Sequence, residues 1–331
     1  DSILSLGITV ITEVDVGKDI PFEELRRQYD SVYISIGAHT DKKTGIPGED
    51  SQGVVSAVEM LRAIGDNEMP DFTGKKVVVI GGGNVAMDVT RSSVRLGADK
   101  VSCVYRRRQV DMTALPEEVE GAVAEGVELL TLMAPVRIEA DENGHAVALW
   151  VQPQMPGDIR GGRPAPKTAD QPEVRIPADV VVFAIGQGIE TNAFEHAGIP
   201  IHRGTIDALS DSKLAKADMD GIFAGGDCVT GPASAIRAIA AGKVAAANID
   251  EYLGFRHEIT VDVTIPDPDL RDRTPHGRVN TTEREASERK HDFVCIECGL
   301  SQQGALEESA RCLRCDHFGY GAFKGGRHEK W

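Results

Sequence analysis

The pattern of apolar and polar positions between residues 75 and 108 predicts a strand, a turn, a helix and a second strand in succession. Four consecutive β-branched residues, 77–80, predict a parallel strand that is buried on both faces. A helical pattern follows from about Asn84 to Leu96 and ends before Gly97, and a second strand is predicted over residues 101–105. This order is typical of a β-α-β unit in a nucleotide-binding domain.

The turn between the first strand and the helix fits the pattern G-x-G-x-x-A. In that pattern Gly81 makes the tight turn, Gly83 admits a pyrophosphate, and the small Ala86 lets the helix pack on the strand. The free N–H groups at the start of the helix favour an anion there. We therefore predict a dinucleotide site, the alternative being a turn that is tight for structural reasons alone. The predicted contacts are Gly81, Gly82, Gly83, Asn84, Val85 and Ala86.

The residues after the second strand indicate which dinucleotide binds. An Asp or Glu about twenty residues past the glycines would accept hydrogen bonds from the adenine ribose of NAD. This chain has Arg106, Arg107 and Arg108 there instead. Because guanidinium groups suit a 2′-phosphate, we predict a preference for NADP(H), with Arg106 and Arg107 as the contacts. A solvated surface turn is the alternative interpretation.

Weaker patterns predict further elements on both sides of this unit. They are strands over residues 8–12, 31–37, 127–132 and 178–186, a helix over 116–125, a hairpin over 136–152, and an exposed loop over 153–172.

Composition limits the classes of function. The 331 residues suffice for two domains with separate cores, and a hydrophobic content of 41% is ordinary for a globular protein. A net charge of −16 argues against a general nucleic-acid or anionic-membrane binder. No apolar run approaches the roughly 20 residues of a membrane helix, and the first residues lack the pattern of a signal peptide. We therefore expect a soluble, cytoplasmic protein without a membrane span.

Four of the six cysteines form two C-x-x-C pairs near the end of the chain. Two such pairs, thirteen residues apart, can place four thiolates around one metal centre. The predicted metal ligands are Cys295, Cys298, Cys312 and Cys315. Cys103 is predicted to be a small buried hydrophobe, and Cys228 has no C-x-x-C partner for a redox disulfide.

Four stretches of residues 1–254 together resemble one family. They are VYISIGAHTDKKTGIPGED, VVVIGGGNVAMDVTRSSVRLGA, VYRRRQVDMTALPEEVEGAVAEGVELL and FAGGDCVTGPASAIRAIAAGKVAAANIDEYL. The sequence is similar to the small, NADPH-binding flavoprotein subunit of glutamate synthase and its relatives. Those relatives include the large subunit of NADH-dependent reduced ferredoxin:NADP oxidoreductase and the FAD subunits of similar transhydrogenase complexes.

The resemblance implies an α/β fold with two dinucleotide-binding domains. A Rossmann-like NADPH domain would be inserted in a partial FAD domain and followed by a cysteine-rich tail. The implied parts are 1–45, the end of the first FAD half; 46–186, the NADP(H) domain; 187–254, the second FAD segment; 255–290, an extended linker or arm; and 291–331, a four-cysteine metal-binding tail. Because no flavin-type G-x-G-x-x-G precedes Lys75, we expect the first flavin phosphate loop to come from an upstream segment or a separate subunit.

The resemblance also implies which residues contact the flavin. Asp227 follows a strand that ends at two glycines, and it would hold the ribityl chain through its carboxylate. The helix over residues 233–252 would direct its positive N-terminus at the pyrimidine edge of the flavin. A purely helix-capping Asp227 is the alternative. The implied contacts are Gly186, Gly226, Asp227, Pro232, Ala233 and Ser234.

The implied activity is that of an NADP-dependent flavoprotein oxidoreductase, the electron-transfer subunit of a multi-subunit complex. Hydride would pass between NADPH and FAD, and electrons would pass to or from iron–sulfur centres, without a catalytic acid or base from this chain. The implied partners are NADH-dehydrogenase-like subunits or the glutamate synthase large subunit, with ferredoxin as a further candidate, and no nucleic acid. A different class of function would be an NADPH-sensing scaffold or docking subunit without a working flavin.

The four cysteines suit an iron–sulfur cluster, 4Fe-4S or 2Fe-2S, as well as they suit a structural zinc. The resemblance to electron-transfer flavoproteins favours the cluster as our prediction, and zinc is the alternative.

Overall fold

The computed structural model describes residues 2–257 and 277–312. Its helices are α1 (Phe22–Gln28), α2 (Ala57–Gly65), α3 (Asn84–Arg95), α4 (Pro116–Ala124), α5 (Asn192–His196), α6 (Asp227–Thr230), α7 (Ala235–Tyr252), α8 (Ala286–Arg289) and α9 (Gln302–Ala310). Its strands are β1 (Val32–Ile34), β2 (Thr40–Asp41), β3 (Val54–Ser56), β4 (Lys76–Ile80), β5 (Lys100–Tyr105), β6 (Glu128–Thr131), β7 (Met133–Ala140), β8 (Ala146–Arg160), β9 (Arg163–Thr168), β10 (Val174–Pro177), β11 (Val180–Phe183), β12 (Gln187–Gly188), β13 (Ile201–His202), β14 (Thr205–Ile206) and β15 (Ile222–Ala224).

Contacts divide the described residues into two compact units. The first unit contains residues 2–40 and 188–257, and the second contains residues 41–187 and 277–312. The chain therefore leaves the first unit after residue 40 and returns to it after residue 187. Residues 277–312, which the sequence assigned to a linker and a separate tail, belong by their contacts to the second unit.

A five-stranded parallel sheet forms the centre of the second unit, in the order β3-β11-β4-β5-β6. Val77 and Val79 of β4 pack into a core with α2, α3 and α4 on one face. Val78 and Ile80 pack on the other face against the antiparallel sheet β10-β8-β7. Both faces of β4 are thus covered by apolar layers, which is why its apolar run does not alternate with polar residues.

The expectation of an exposed loop over residues 153–172 was wrong. Strand β8 continues to Arg160 and pairs with β9 in an antiparallel hairpin, with Met155 opposite Lys167. Prolines at 156, 164 and 166 suggested a loop, but β9 pairs with β8 alone among the described strands. An edge strand tolerates proline because the N–H that proline lacks would point away from the ladder. We call residues 154–168 the hairpin arm.

The first unit has a smaller core around the parallel pair β1 and β15. Phe22, Ile34 and Ile222 are among its buried side chains. The strand that the sequence predicted over residues 8–12 does not form, and its apolar side chains Ile8 and Val10 are exposed. None of the described helices is long and apolar enough to span a membrane.

Candidate functional sites

Two of the glycines between β4 and α3, Gly81 and Gly82, are required because neighbouring protein atoms leave no space for a side chain. A Cβ atom on Gly81 would lie 2.3 Å from the carbonyl oxygen of Ala184, at the end of the neighbouring strand β11. A Cβ atom on Gly82 would lie 2.5 Å from the ring of Tyr105, at the end of β5. The turn therefore passes between two strand ends with no room for a side chain.

Gly83 differs because its missing side chain leaves open space. A Cβ atom there would meet only Oγ1 of Thr113, at 3.4 Å, and the backbone φ of −102° is accessible to any residue. The N–H groups of Gly82 and Gly83 donate to no acceptor within residues 2–257 and 277–312. Directly after them, α3 begins with further unpaired N–H groups, as every helix does. These donors and this space fit a pyrophosphate.

A segment that the sequence did not point to lies beside this turn. The N–H groups of Thr113 and Ala114 donate to the carbonyl oxygen of Gly82 at 2.9 and 3.1 Å. The N–H of Leu115 donates to Oδ1 of Asn84 at 3.0 Å. The side chain of Asn84, predicted as a dinucleotide contact, therefore also holds the wall of the site. Backbone donors carry no residue signature, so no sequence pattern could have located this segment.

The three arginines after β5 have different surroundings. Arg108 donates through Nε and Nη2 to the two carboxylate oxygens of Asp111, both at 2.8 Å, and this hydrogen bonding lowers the pKa of Asp111. Arg107 donates through Nε to the carbonyl oxygen of Pro164 at 3.2 Å. Arg106 is exposed and makes no hydrogen bond or ion pair with the described residues. Arg106 and the Nη groups of Arg107 are thus the cations that remain for a ligand.

The predicted flavin contacts lie in the first unit, except Gly186 at the end of the second. A Cβ atom on Gly225 would lie 2.4 Å from the hydroxyl of Tyr33, whereas Gly226, with φ +78°, has open space around it. Asp227 begins α6, and its Oδ1 accepts from the N–H of Ala233 at 3.2 Å. The carboxylate of Asp227 thus closes the loop that leads to α7. Pro232, Ala233 and Ser234 are exposed just before the N-terminus of that helix.

The two cysteines outside the C-x-x-C pairs are buried. Burial raises the pKa of Cys103 to about 12. Burial also raises the pKa of Cys228, whose thiol donates to the carbonyl oxygen of Gly225 at 3.2 Å. Both thiols are therefore protonated and packed at neutral pH, in keeping with the sequence interpretation.

Three of the four predicted metal ligands lie within the described residues, and Cys315 lies outside them. Cys295, Cys298 and Cys312 are all exposed. The N–H of Cys298 donates to the carbonyl oxygen of Thr282 at 2.8 Å, which pairs the first C-x-x-C segment with residues 282–284. No group of three or more potential metal-ligating His, Cys, Asp or Glu side chains forms in the described part of the chain. The four-thiolate donor set therefore stays a prediction.

A buried ion cluster attaches this cysteine segment to the nucleotide-binding unit. The side chain of Glu125, after the end of α4, is fully buried and accepts hydrogen bonds from Arg91, Arg95 and Arg289. Burial alone would raise the pKa of Glu125, but the hydrogen bonds from Arg91 and Arg95 outweigh it and lower the pKa to about 2. Sequence analysis missed this residue because a charged position near a helix end usually faces solvent.

Comparison with known proteins places these features among flavoprotein oxidoreductases. A family model described as "Pyridine nucleotide-disulphide oxidoreductase" matches residues 6–242. The NADP(+)-dependent formate dehydrogenase subunit beta of Moorella thermoacetica is 34% identical over 96% of this chain and 47% of its own length. The NADPH-Fe(3+) oxidoreductase subunit beta of Geobacter sulfurreducens is 31% identical over 95% of this chain and 52% of its own length. The chain thus spans about half the length of these two relatives.

The glutamate synthase (NADPH) small chain of Escherichia coli is 35% identical, but over 75% of this chain and 56% of its own length. Among solved structures, Mycobacterium tuberculosis FprA in complex with NADPH superimposes with a TM-score of 0.59 and 21% identity, covering 73% of this chain and 67% of FprA. Thioredoxin reductase of T. acidophilum gives a TM-score of 0.53 with 20% identity, covering 68% of this chain and 65% of that structure. At these identities the structures show a shared fold.

Proposed function

The chain belongs to the pyridine nucleotide-disulphide oxidoreductase family, as the resemblance predicted, and we propose that it is the NADP(H)-binding part of an FAD-dependent oxidoreductase within an iron–sulfur complex. One observation supports the proposal above all: the turn has open space at Gly83, and Arg106 and Arg107 lie at the end of the neighbouring strand without an ion pair within the described residues. A carboxylate at that strand end would have favoured NAD.

The residues of the second unit bind and orient the nucleotide. The N–H groups of Gly82 and Gly83 and the start of α3 hold the pyrophosphate, and Arg106 and Arg107 hold the 2′-phosphate. The segment after Met112 forms the wall beside the turn. Hydride transfer requires no proton donor or acceptor from this chain, because the protein contributes by positioning the nicotinamide ring relative to the flavin ring.

The residues around β15 support the flavin. FAD, when bound, exchanges a hydride with the nicotinamide and electrons with iron–sulfur centres. Gly226 leaves space for close approach, Asp227 accepts a hydrogen bond from the ribityl chain, and the residues 232–234 bring the N-terminus of α7 to the flavin ring. Gly186 lies at the end of the nucleotide-binding unit, where the chain returns to the first unit.

The share of the chain that each relative matches favours one subfamily. The formate dehydrogenase and NADPH-Fe(3+) oxidoreductase beta subunits match nearly the whole chain, whereas the glutamate synthase small chain matches three quarters of it. Residues 1–254, before the cysteine segment, are also about three quarters of the chain. We therefore favour a complex of the former kind, with glutamate synthase as the alternative and Cys295, Cys298, Cys312 and Cys315 as ligands of an iron–sulfur cluster or of zinc.

The test is the flavin content of the complex purified with this subunit. Stoichiometric FAD that is reduced faster by NADPH than by NADH is expected. Asp227→Ala should lower the flavin content, while Asp220→Ala, at an exposed aspartate of the same unit, should not. A colourless complex that still binds NADPH would identify a sensing or docking subunit instead.

A further inference from the structure

The hairpin arm lies against the arginine run at the end of β5. Nε of Arg107 donates to the carbonyl oxygen of Pro164 in the arm at 3.2 Å. In the opposite direction, Nη1 of Arg163 in the arm donates to the carbonyl oxygen of Asp111 at 3.2 Å. Two hydrogen bonds from arginines to backbone carbonyls therefore tie the arm to the segment 106–111.

The arm and this segment line a narrow surface cleft in which cationic side chains outnumber anionic ones. Its lining includes Arg106, Arg107 and Asp111 from the segment and Met155, Pro164 and Pro166 from the arm. The single carboxylate, that of Asp111, is ion-paired with Arg108. Within the described residues Arg106 and Arg107 form no ion pair, although the charge of Arg107 also helps to lower the pKa of Asp111. In a chain of net charge −16, this local excess of positive charge would attract an anion.

Arg107 is the residue that the arm controls. Its Nε donates a hydrogen bond to the carbonyl oxygen of Pro164, and this bond orients the plane of the guanidinium group. Both Nη groups remain available for a two-point contact with phosphate oxygens. An arginine that is ordered in advance loses less side-chain entropy when the anion binds. The prolines of β9 restrict the backbone that presents this carbonyl oxygen.

We propose that the hairpin arm is a specificity element that orients Arg107 for a phosphomonoester dianion, the 2′-phosphate of NADP(H). This inference rests on the proposed nucleotide site and extends it to residues 154–168, which no part of the dinucleotide pattern includes. β8 pairs with β7 as far as Pro153 and with β9 beyond it, so the arm can be shortened without removing a pair between β7 and β8.

The test measures the affinity of the full chain for 2′,5′-ADP and for 5′-ADP by calorimetry. In one variant, Asn-Gly replaces residues 156–166 between the paired Met155 and Lys167, a two-residue turn suited to a hairpin. This variant should bind 2′,5′-ADP about two- to tenfold more weakly, the effect of one arginine no longer ordered in advance. Its affinity for 5′-ADP should not change.

Single substitutions provide a matched pair. Arg163→Ala removes the bond to Asp111 and should weaken 2′,5′-ADP binding at least about twofold. Arg160→Ala removes the same charge from the same hairpin. The side chain of Arg160 is exposed and makes no hydrogen bond within the described residues, so this substitution should have no effect. If the shortened variant does not fold, this pair decides the question.

The outcomes separate the inference from the proposed function. Wild-type affinity in the shortened variant and in Arg163→Ala, with loss of affinity in Arg106→Ala/Arg107→Ala, would overturn the role of the arm and leave the NADP(H) site standing. Equal losses in Arg160→Ala and Arg163→Ala would also overturn it, because long-range charge would then explain both. A wild-type chain that binds 5′-ADP as tightly as 2′,5′-ADP would refute the NADP(H) site itself.

Discussion

Nε of Arg289 lies 2.9 Å from Oε1 of Glu125, a contact between residues 164 positions apart in the sequence. Both side chains are buried, and the carboxylate also accepts from Arg91 and Arg95. Arg95 in turn donates through Nε to the carbonyl oxygen of Asp292 at 2.9 Å. One carboxylate thus holds the segment that carries Cys295 and Cys298 against the nucleotide-binding unit.

Replacing Glu125 by Gln should destabilise this arrangement. The substitution takes the shared anion from three buried guanidinium groups. Arg91 keeps its ion pair with Glu118 and Arg289 keeps its ion pair with Glu283, whereas Arg95 loses the carboxylate with which it is paired. Removing one partner of a buried ion pair costs about 3–5 kcal/mol. Amide hydrogen exchange over residues 277–312 should accelerate together with the loss of unfolding free energy. Glu120→Gln, at an exposed carboxylate of α4, the helix that ends just before Glu125, is the control and should change neither quantity.

The carboxylate of Glu125 should make the unfolding free energy depend on pH in the acid range. The pKa of Glu125 falls from 4.5 to about 2 in the folded protein, so its contribution is complete above about pH 4.5 and is lost as the pH falls toward 2. The difference in unfolding free energy between wild type and Glu125→Gln should therefore shrink across that interval. A difference that stays constant from neutral pH down to pH 2 would contradict the assignment of the low pKa.

The glycine turn predicts opposite results for two alanine substitutions. Gly83→Ala places a methyl group where the pyrophosphate should lie but near no protein atom closer than 3.4 Å. NADPH should then bind at least about tenfold more weakly, with the melting temperature preserved. Gly81→Ala brings a methyl group to 2.3 Å from the carbonyl oxygen of Ala184 and should cost about 1–3 kcal/mol of stability. Thermal denaturation alongside nucleotide titration tests both.

Arg106→Ala combined with Arg107→Ala should remove the preference for NADP(H). Loss of one charge-assisted contact corresponds to at least about a tenfold rise in the Kd for NADPH. The Kd for NADH should change little, since that nucleotide has no 2′-phosphate. Equal losses for the two nucleotides would mean that the arginines serve the fold and not the ligand.

The metal of the cysteine segment is decided by analysis of iron, acid-labile sulfide and zinc in the anaerobically purified complex. Cys312→Ser with Cys315→Ser should remove the iron and sulfide of one cluster per chain while the FAD content stays constant. Unchanged iron with the loss of one zinc per chain would assign a structural clip to this segment. Unchanged metal of every kind would exclude these thiolates as ligands.

Local sequence patterns correctly predicted those parts of the fold whose structure depends on residues close together in the chain. The β-branched run of β4, the glycine turn and the helix after it were predictable because strand, turn and helix each depend on residues close in the chain. The strand predicted over residues 8–12 failed because its apolar side chains have no described layer to cover them, and pattern alone does not supply a partner.

The remaining features depend on contacts that are distant in sequence. The prolines of β9 are compatible with a strand only because that strand has one free edge. Arg107 donates a hydrogen bond to Pro164, 57 residues away. Glu125 accepts one from Arg289, and the sequence around Glu125 does not indicate that its carboxylate is buried. No periodicity encodes either contact, so the arm and the attachment of the cysteine segment emerge only from the structure.

The twelve residues of α3 form a helix about 18 Å long. The helix begins at the phosphate turn, and its C-terminal half carries Arg91 and Arg95, which form ion pairs with Glu125. Glu125 in turn pairs with Arg289 of the cysteine-bearing segment. The phosphate turn and the attachment of the cysteine-bearing segment therefore lie at opposite ends of one helix, and a displacement of α3 along its axis would move both.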